Sequence, residues 1–103
     1  MYKTEIFANL LKMVSIETEI PSDRILSSSK CAEVVDARCI LIKLLYKKGM
    51  YPSSIASELG CTVRSVQYNL AHFPDRAETN PMMRINYECL KKLVGNKDFM
   101  PAH

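Results

Sequence analysis

Ile55-Ala56-Ser57-Glu58-Leu59-Gly60-Cys61-Thr62-Val63-Arg64-Ser65-Val66 reads as a helix, a tight turn and the start of a second helix. Small Ala56 lets two helices cross closely. Gly60, four residues on, stands where the chain must turn, and glycine adopts a positive φ at least cost. Thr62 is placed as N-cap of the second helix, and Val66 faces back to lock the pair. Ile55, Leu59, Cys61, Val66 and Leu70 are expected to face inward. Thr62, Arg64, Gln67 and Tyr68 are expected to face outward. This is the sequence form of a helix-turn-helix, whose second helix enters the DNA major groove. The competing reading is an ordinary αα-corner in a helical bundle.

Outward from this stretch the chain continues in helical periods. Upstream, Val35, Cys39, Ile42 and Tyr46 form one stripe, and Val34, Leu41 and Leu45 a second, with Ile40 and Leu44 extending the apolar surface. A helix from about Ala32 to Lys48 that is apolar over so wide a face belongs at the centre of a bundle. Lys47-Lys48-Gly49 ends it, with cations at the negative end of the helix dipole and glycine beyond the last turn. Pro52-Ser53-Ser54 opens the first helix of the motif.

Nearer the N-terminus, Phe7, Leu10, Leu11 and Val14 mark one face of a helix over about residues 3–15, and Pro21 starts a short turn near Asp23 to Leu26. Ser27-Ser28-Ser29-Lys30 forms a polar loop whose serines suit a helix start. Downstream, the second helix of the motif is expected to run from Val63 to Ala71 or His72 and to be stopped or bent by Pro74. Thr79-Asn80-Pro81 signals a last helix, about Met82 to Val94, with Met83, Tyr87, Leu90 and Val94 on one side. Gly95-Asn96 closes it, ahead of a loose tail to His103.

The 103 residues suit one domain, and 48% apolar residues are enough for a core. With 3 Gly and 5 Pro, and no period-two run between turn residues, no strand is expected. No stretch approaches the length and apolarity of a membrane span. No basic segment followed by an apolar block marks a signal peptide, so a cytoplasmic location is expected. The net charge is +3, unevenly placed. Residues 24–48 hold six basic residues against two acids, while 1–23 hold two against four. The positive segment thus directly precedes the helix-turn-helix, where phosphate contacts would fall. Cys31, Cys39, Cys61 and Cys89 form no CxxC pair, and His72 and His103 complete no zinc pattern. The cysteines are expected to be free and largely buried. No metal, cofactor or enzymatic role is expected, because no nucleophile–base set, metal cluster or phosphate loop is visible.

Val14-Ser15-Ile16-Glu17-Thr18-Glu19-Ile20-Pro21-Ser22-Asp23-Arg24-Ile25-Leu26, followed by the loop Ser27 to Lys30, then Ala37-Arg38 before the apolar run Cys39 to Tyr46, then the helix-turn-helix, resembles the C-terminal DNA-binding domain (domain IV) of the bacterial replication initiator DnaA. The Trp repressor shares the general arrangement more distantly. The resemblance covers about residues 5–72. It implies an all-α core over residues 1–74, with an additional helix and tail over 75–103. It also implies that Lys30 stands where the family's minor-groove arginine lies, and that Arg38, at the start of the central helix, contacts phosphate. The recognition segment departs from the family. Members carry Asp-His-[Ser/Thr]-Thr-Val, whereas Thr62-Val63-Arg64-Ser65-Val66 stands here, so the family's DNA box is not the expected target. No G-x-x-x-x-G-K-[ST] is present either. The expected protein is the DNA-binding module used alone, as in small bacterial regulators or mobile-element proteins.

The candidate DNA-binding residues are Lys30, Arg38, Ser53, Ser54, Thr62, Val63, Arg64, Gln67 and Tyr68. Arg64 is suited to guanine and Gln67 to adenine. Val63 suits a thymine methyl, and Thr62 and Tyr68 the backbone. Ser53 and Ser54 would bond phosphates or cap their helix, and the alternative partners of Arg38 are Asp36 and Glu33. Met82 and Met83 are expected as core filler or interface. The expectation is a single all-α domain of five or six helices that binds specific double-stranded DNA. A homodimer or protein partner would supplement its few phosphate contacts. The alternative is a protein–protein interaction module that keeps the fold without DNA binding, which an apolar patch around Val63, Met82 and Met83 would favour.

Overall fold

A central helix, Ala32–Lys47, touches every other described helix in the computed structural model, which describes residues 2–94. In chain order the described helices are α1 (Tyr2–Thr18), α2 (Ser22–Ile25), α3 (Ala32–Lys47), α4 (Pro52–Leu59), α5 (Val63–Thr79) and α6 (Pro81–Val94). There is no strand among the described residues, and the helices pack into one all-α domain. The positions assigned to Gly95-Asn96 and to the tail lie outside the described residues.

The width of the apolar surface on α3 explains its place. Val34, Ala37, Cys39, Ile40, Leu41, Ile42, Leu44 and Leu45 are all buried, more than one face can supply, so neighbours must cover the helix on several sides. Phe7, Leu10 and Val14 from α1, Ile25 from α2, Ile55 and Ala56 from α4, Val66 and Phe73 from α5, and Met83, Tyr87 and Leu90 from α6 complete one core. Tyr46, expected on an inward stripe, is exposed at the end of that stripe.

Local chemistry sets the helix ends. Past α3, Gly49 has φ +98°. Its N–H donates to Tyr46 O at 3.0 Å and Met50 N–H to Leu45 O at 3.2 Å, which is the Schellman pairing. Met50, buried, packs back on the core. α1 runs three residues beyond its expected end. There the Thr18 hydroxyl donates to Val14 O and the Ser15 hydroxyl to Ile20 O, while Glu19 turns the chain at φ +61°. Asn80 closes α5 and opens α6: its Oδ1 accepts from Met83 N–H at 3.1 Å, with Pro81 following. Asn80 Nδ2 also donates to Asp36 Oδ2 at 2.7 Å, and Arg76 Nη1 to Asp36 Oδ1 at 2.9 Å. These bonds tie the α5–α6 junction to α3.

Pro74 does not stop the helix, and the end expected at Ala71 or His72 lies further along the chain. Pro74 sits inside α5, which continues to Thr79. Pro74 is exposed, while Phe73 is buried and Ala77 partly buried against the core. The proline ring leaves one carbonyl without its helical partner, and core packing on both sides of residue 74 holds the helix together.

Candidate nucleic-acid interface

The α4–α5 pair is joined by three residues, Gly60, Cys61 and Thr62. Gly60 has φ +71°, and the N–H groups of Gly60 and Cys61 both point to Ala56 O. Thr62 then leaves the turn in an extended conformation, and its Oγ1 accepts from Ser65 N–H at 3.1 Å. The expected cap is therefore in place. Ile55 and Val66 are buried between the helices, with Leu59 and Leu70 partly buried. Cys61 departs from the expectation: it is exposed, because the residue between Gly60 and the extended Thr62 points away from the seam.

The first half of α5 presents an uncovered face. Arg64, Gln67, Tyr68 and His72 are exposed there, and Val63 keeps 39% of its surface at the helix start. Arg64, Tyr68 and His72 follow at four-residue steps and so share one side of the helix. The Tyr68 and His72 rings lie 4.1 Å apart, tilted by 43°. His72 was not among the sequence candidates; its step of four from Tyr68 was the available signal. Ser53 is exposed and Ser54 half-buried in the first turn of α4. Neither caps the helix: Tyr51 holds the cap position and makes no side-chain cap bond, because Pro52 already fixes the first helical residue.

Arg38 is bonded within the protein itself. It lies inside α3, well past the helix start at Ala32, and is paired with neither Asp36 nor Glu33. Its Nε donates to Ile25 O at 3.0 Å, and its Nη2 donates to Ser27 O and Ser29 O. The guanidinium fork thus staples the α2–α3 loop to the central helix. Further hydrogen bonds order that loop, from Ser29 N–H to Ser27 Oγ and from Cys31 N–H to Ser29 Oγ. Lys30, exposed, projects from it. A groove of about 200 Å³ separates this loop from the α4–α5 turn. Ser27, Ser28 and Arg38 line one side, and Gly60, Cys61 and Ser65 the other. Tertiary packing thereby sets the loop beside the turn, although Lys30 and Arg64 are far apart in sequence.

Two of the thiols are held above their ordinary range. Burial pushes the Cys39 thiol up, opposed by the nearby Arg76 charge, and the thiol donates to Asn69 Oδ1 at 2.9 Å. Partial burial also raises Cys61, against the Arg38 charge. Only Cys39 is buried; Cys31, Cys61 and Cys89 are exposed, against the expectation that most would be inside. All four are free, consistent with their spacing. Among the described residues no group of three His, Cys, Asp or Glu side chains could hold a metal, and no helix is long and apolar enough to cross a membrane. No family model matches the chain, and no curated protein matches it.

Proposed function

We propose that the chain binds double-stranded DNA, with the N-terminal half of α5 in the major groove. The observation that carries this is the uncovered face of α5, with Arg64, Gln67 and Tyr68 exposed directly after a three-residue turn capped by Thr62. A helix that enters a groove must leave its leading side chains free while its other face is anchored, and here Val66 supplies the anchor. Arg64 reads guanine through its fork, Gln67 reads adenine, and Val63 meets a thymine methyl. Lys30, on the stapled loop, reaches the backbone or the adjacent minor groove, while Arg38 acts by holding that loop. Ser53 and Ser54 supply backbone contacts from α4. The resemblance to DnaA domain IV supports the same docking, in a stand-alone regulatory or mobile-element protein of a bacterial type acting in the cytoplasm.

A second reading is a protein-interaction module on the same fold. One observation favours it: Arg64 is the only Lys or Arg between residues 49 and 72. The patch of Val63, Met82 and Met83 does not support it, because Met83 is buried. Fluorescence anisotropy with a random-sequence duplex over a salt series separates the two. Binding that weakens steeply with salt is expected for the DNA module. Absence of binding at low salt overturns it in favour of a protein partner.

A further inference from the structure

The outward face of α5 continues past Tyr68. Arg64, Tyr68 and His72 follow at four-residue steps, and all three are exposed. The His72 and Tyr68 rings lie 4.1 Å apart, so the imidazole rests against its neighbour one turn below. Among the described residues its ring nitrogens take part in no hydrogen bond or ion pair. A ring contact at this spacing is a modest support for a helix, and a phenylalanine would supply it equally well. What histidine adds is a polar N–H at the exposed edge of the ring.

Charge marks where this face ends. Residues 59–74 hold no Asp or Glu. Asp75 and Glu78 then follow, both exposed. Asp75 lies three turns beyond Arg64, on nearly the same line along the helix. A phosphate is repelled by the acidic part of α5 and tolerated beside the acid-free part. His72 is the last polar side chain of the acid-free part, since Phe73 and Pro74 follow it.

Its position along the axis falls at the same boundary. Eight residues separate Arg64 from His72, a rise of about 12 Å. The major groove is about 8.5 Å deep. With the start of α5 pointing into the groove and Arg64 at the base edges, His72 stands at the level of the sugar-phosphate strands.

We infer, on the DNA reading of α5 proposed above, that His72, steadied by the Tyr68 ring, donates its ring N–H to a backbone phosphate at the rim of the major groove. Phosphate contacts fix the register and orientation of a protein on the duplex, whereas base contacts carry specificity. His72 is therefore a positioning residue: its loss weakens every duplex by the same factor, whereas the loss of Arg64 is felt at one base.

The test is fluorescence anisotropy of the full chain at fixed pH and salt, with a random-sequence duplex and with a duplex selected for tight binding. His72→Phe keeps a ring beside Tyr68 and removes the donor. It is expected to melt like the parent and to bind both duplexes about five-fold more weakly. His72→Lys supplies a charged donor in place of the imidazole and is expected to bind at least as tightly as the parent. A neutral methylphosphonate, scanned along both strands of the selected duplex, is expected to weaken the parent at one position where it leaves His72→Phe unchanged. Three results overturn the proposal and leave the DNA reading intact: His72→Phe binding like the parent, His72→Phe losing affinity for the selected duplex alone, or His72→Lys as weak as His72→Phe. A parent that binds no duplex at low salt overturns both.

Discussion

Arg38 Nε donates to the carbonyl oxygen of Ile25 at 3.0 Å, so a residue in the second turn of the central helix holds the end of α2. Its Nη2 extends the hold to Ser27 and Ser29. The loop that carries Lys30 is therefore fixed relative to α3 by one planar fork.

Arg38→Ala removes all three of these bonds. Charge-assisted hydrogen bonds contribute more than neutral ones, and partial exposure reduces the effect, so a loss of about 1–2 kcal/mol is expected. Arg38→Lys should recover less than half, because an ammonium cannot span three carbonyls arranged around a fork. Urea denaturation measures the stability. Amide exchange at residues 27–31 should quicken in both variants, and equal stability of Arg38→Lys and the parent would contradict the staple.

Thr62→Ala removes the side-chain bond that caps the N-terminus of α5. The expected cost is about 1 kcal/mol, and Thr62→Ser should keep most of the cap. Exchange of the Ser65 amide is the local readout, and it should accelerate in Thr62→Ala alone.

Gly60→Ala should destabilise by about 1 kcal/mol, and Gly60→Asn by less, because the position has φ +71°. An added Cβ would meet nothing within 4 Å, so the cost is conformational and no clash contributes. Thermal melting of the two variants beside the parent checks the order.

Arg64→Ala and Lys30→Ala should separate specificity from electrostatics. Once a site has been selected from random duplexes, Arg64→Ala should cost about 1–3 kcal/mol there and relax preference at one base. Lys30→Ala should weaken all sequences alike and reduce the salt slope by about 1. Unchanged specificity after both substitutions would remove α5 from the reading role.

Stability should decline in alkali. Burial holds the Cys39 thiol above its ordinary range, and the Cys61 thiol and the Tyr87 phenol shift the same way. As pH rises past the ordinary thiol range, the unfolded chain loses protons that the folded chain still keeps. The unfolded state is then the one favoured by rising pH. The contribution is complete at neutral pH and below, and is lost towards the raised folded values. Urea midpoints should be flat through neutrality and fall in alkali, with a smaller fall in Cys39→Val.

The α4–turn–α5 geometry was legible in the sequence because each of its determinants is local. Gly60 takes the left-handed turn, Thr62 caps, and Ile55 and Val66 bury. Each acts within a few residues of its own position. The continuation of α5 through Pro74 was not legible, because it depends on Phe73 and Ala77 packing into a core shared with other helices, Tyr87 of α6 among them. Cys61 was misplaced for a similar reason: hydrophobicity suggested burial, whereas the turn geometry turns it outward.

The sequence by itself determined that this chain is helical, where its helices begin and turn, and that α3 lies at the centre, since periodicity and caps are short-range properties of the chain. Only the tertiary structure decided which exposed groups stand together. It set Arg38 under the α2–α3 loop, brought that loop beside Gly60 and Cys61, and left Arg64, Tyr68 and His72 uncovered. Those outcomes follow from how six amphipathic surfaces share one core, and the side chain that each surface leaves outside is fixed only when all the others are in place.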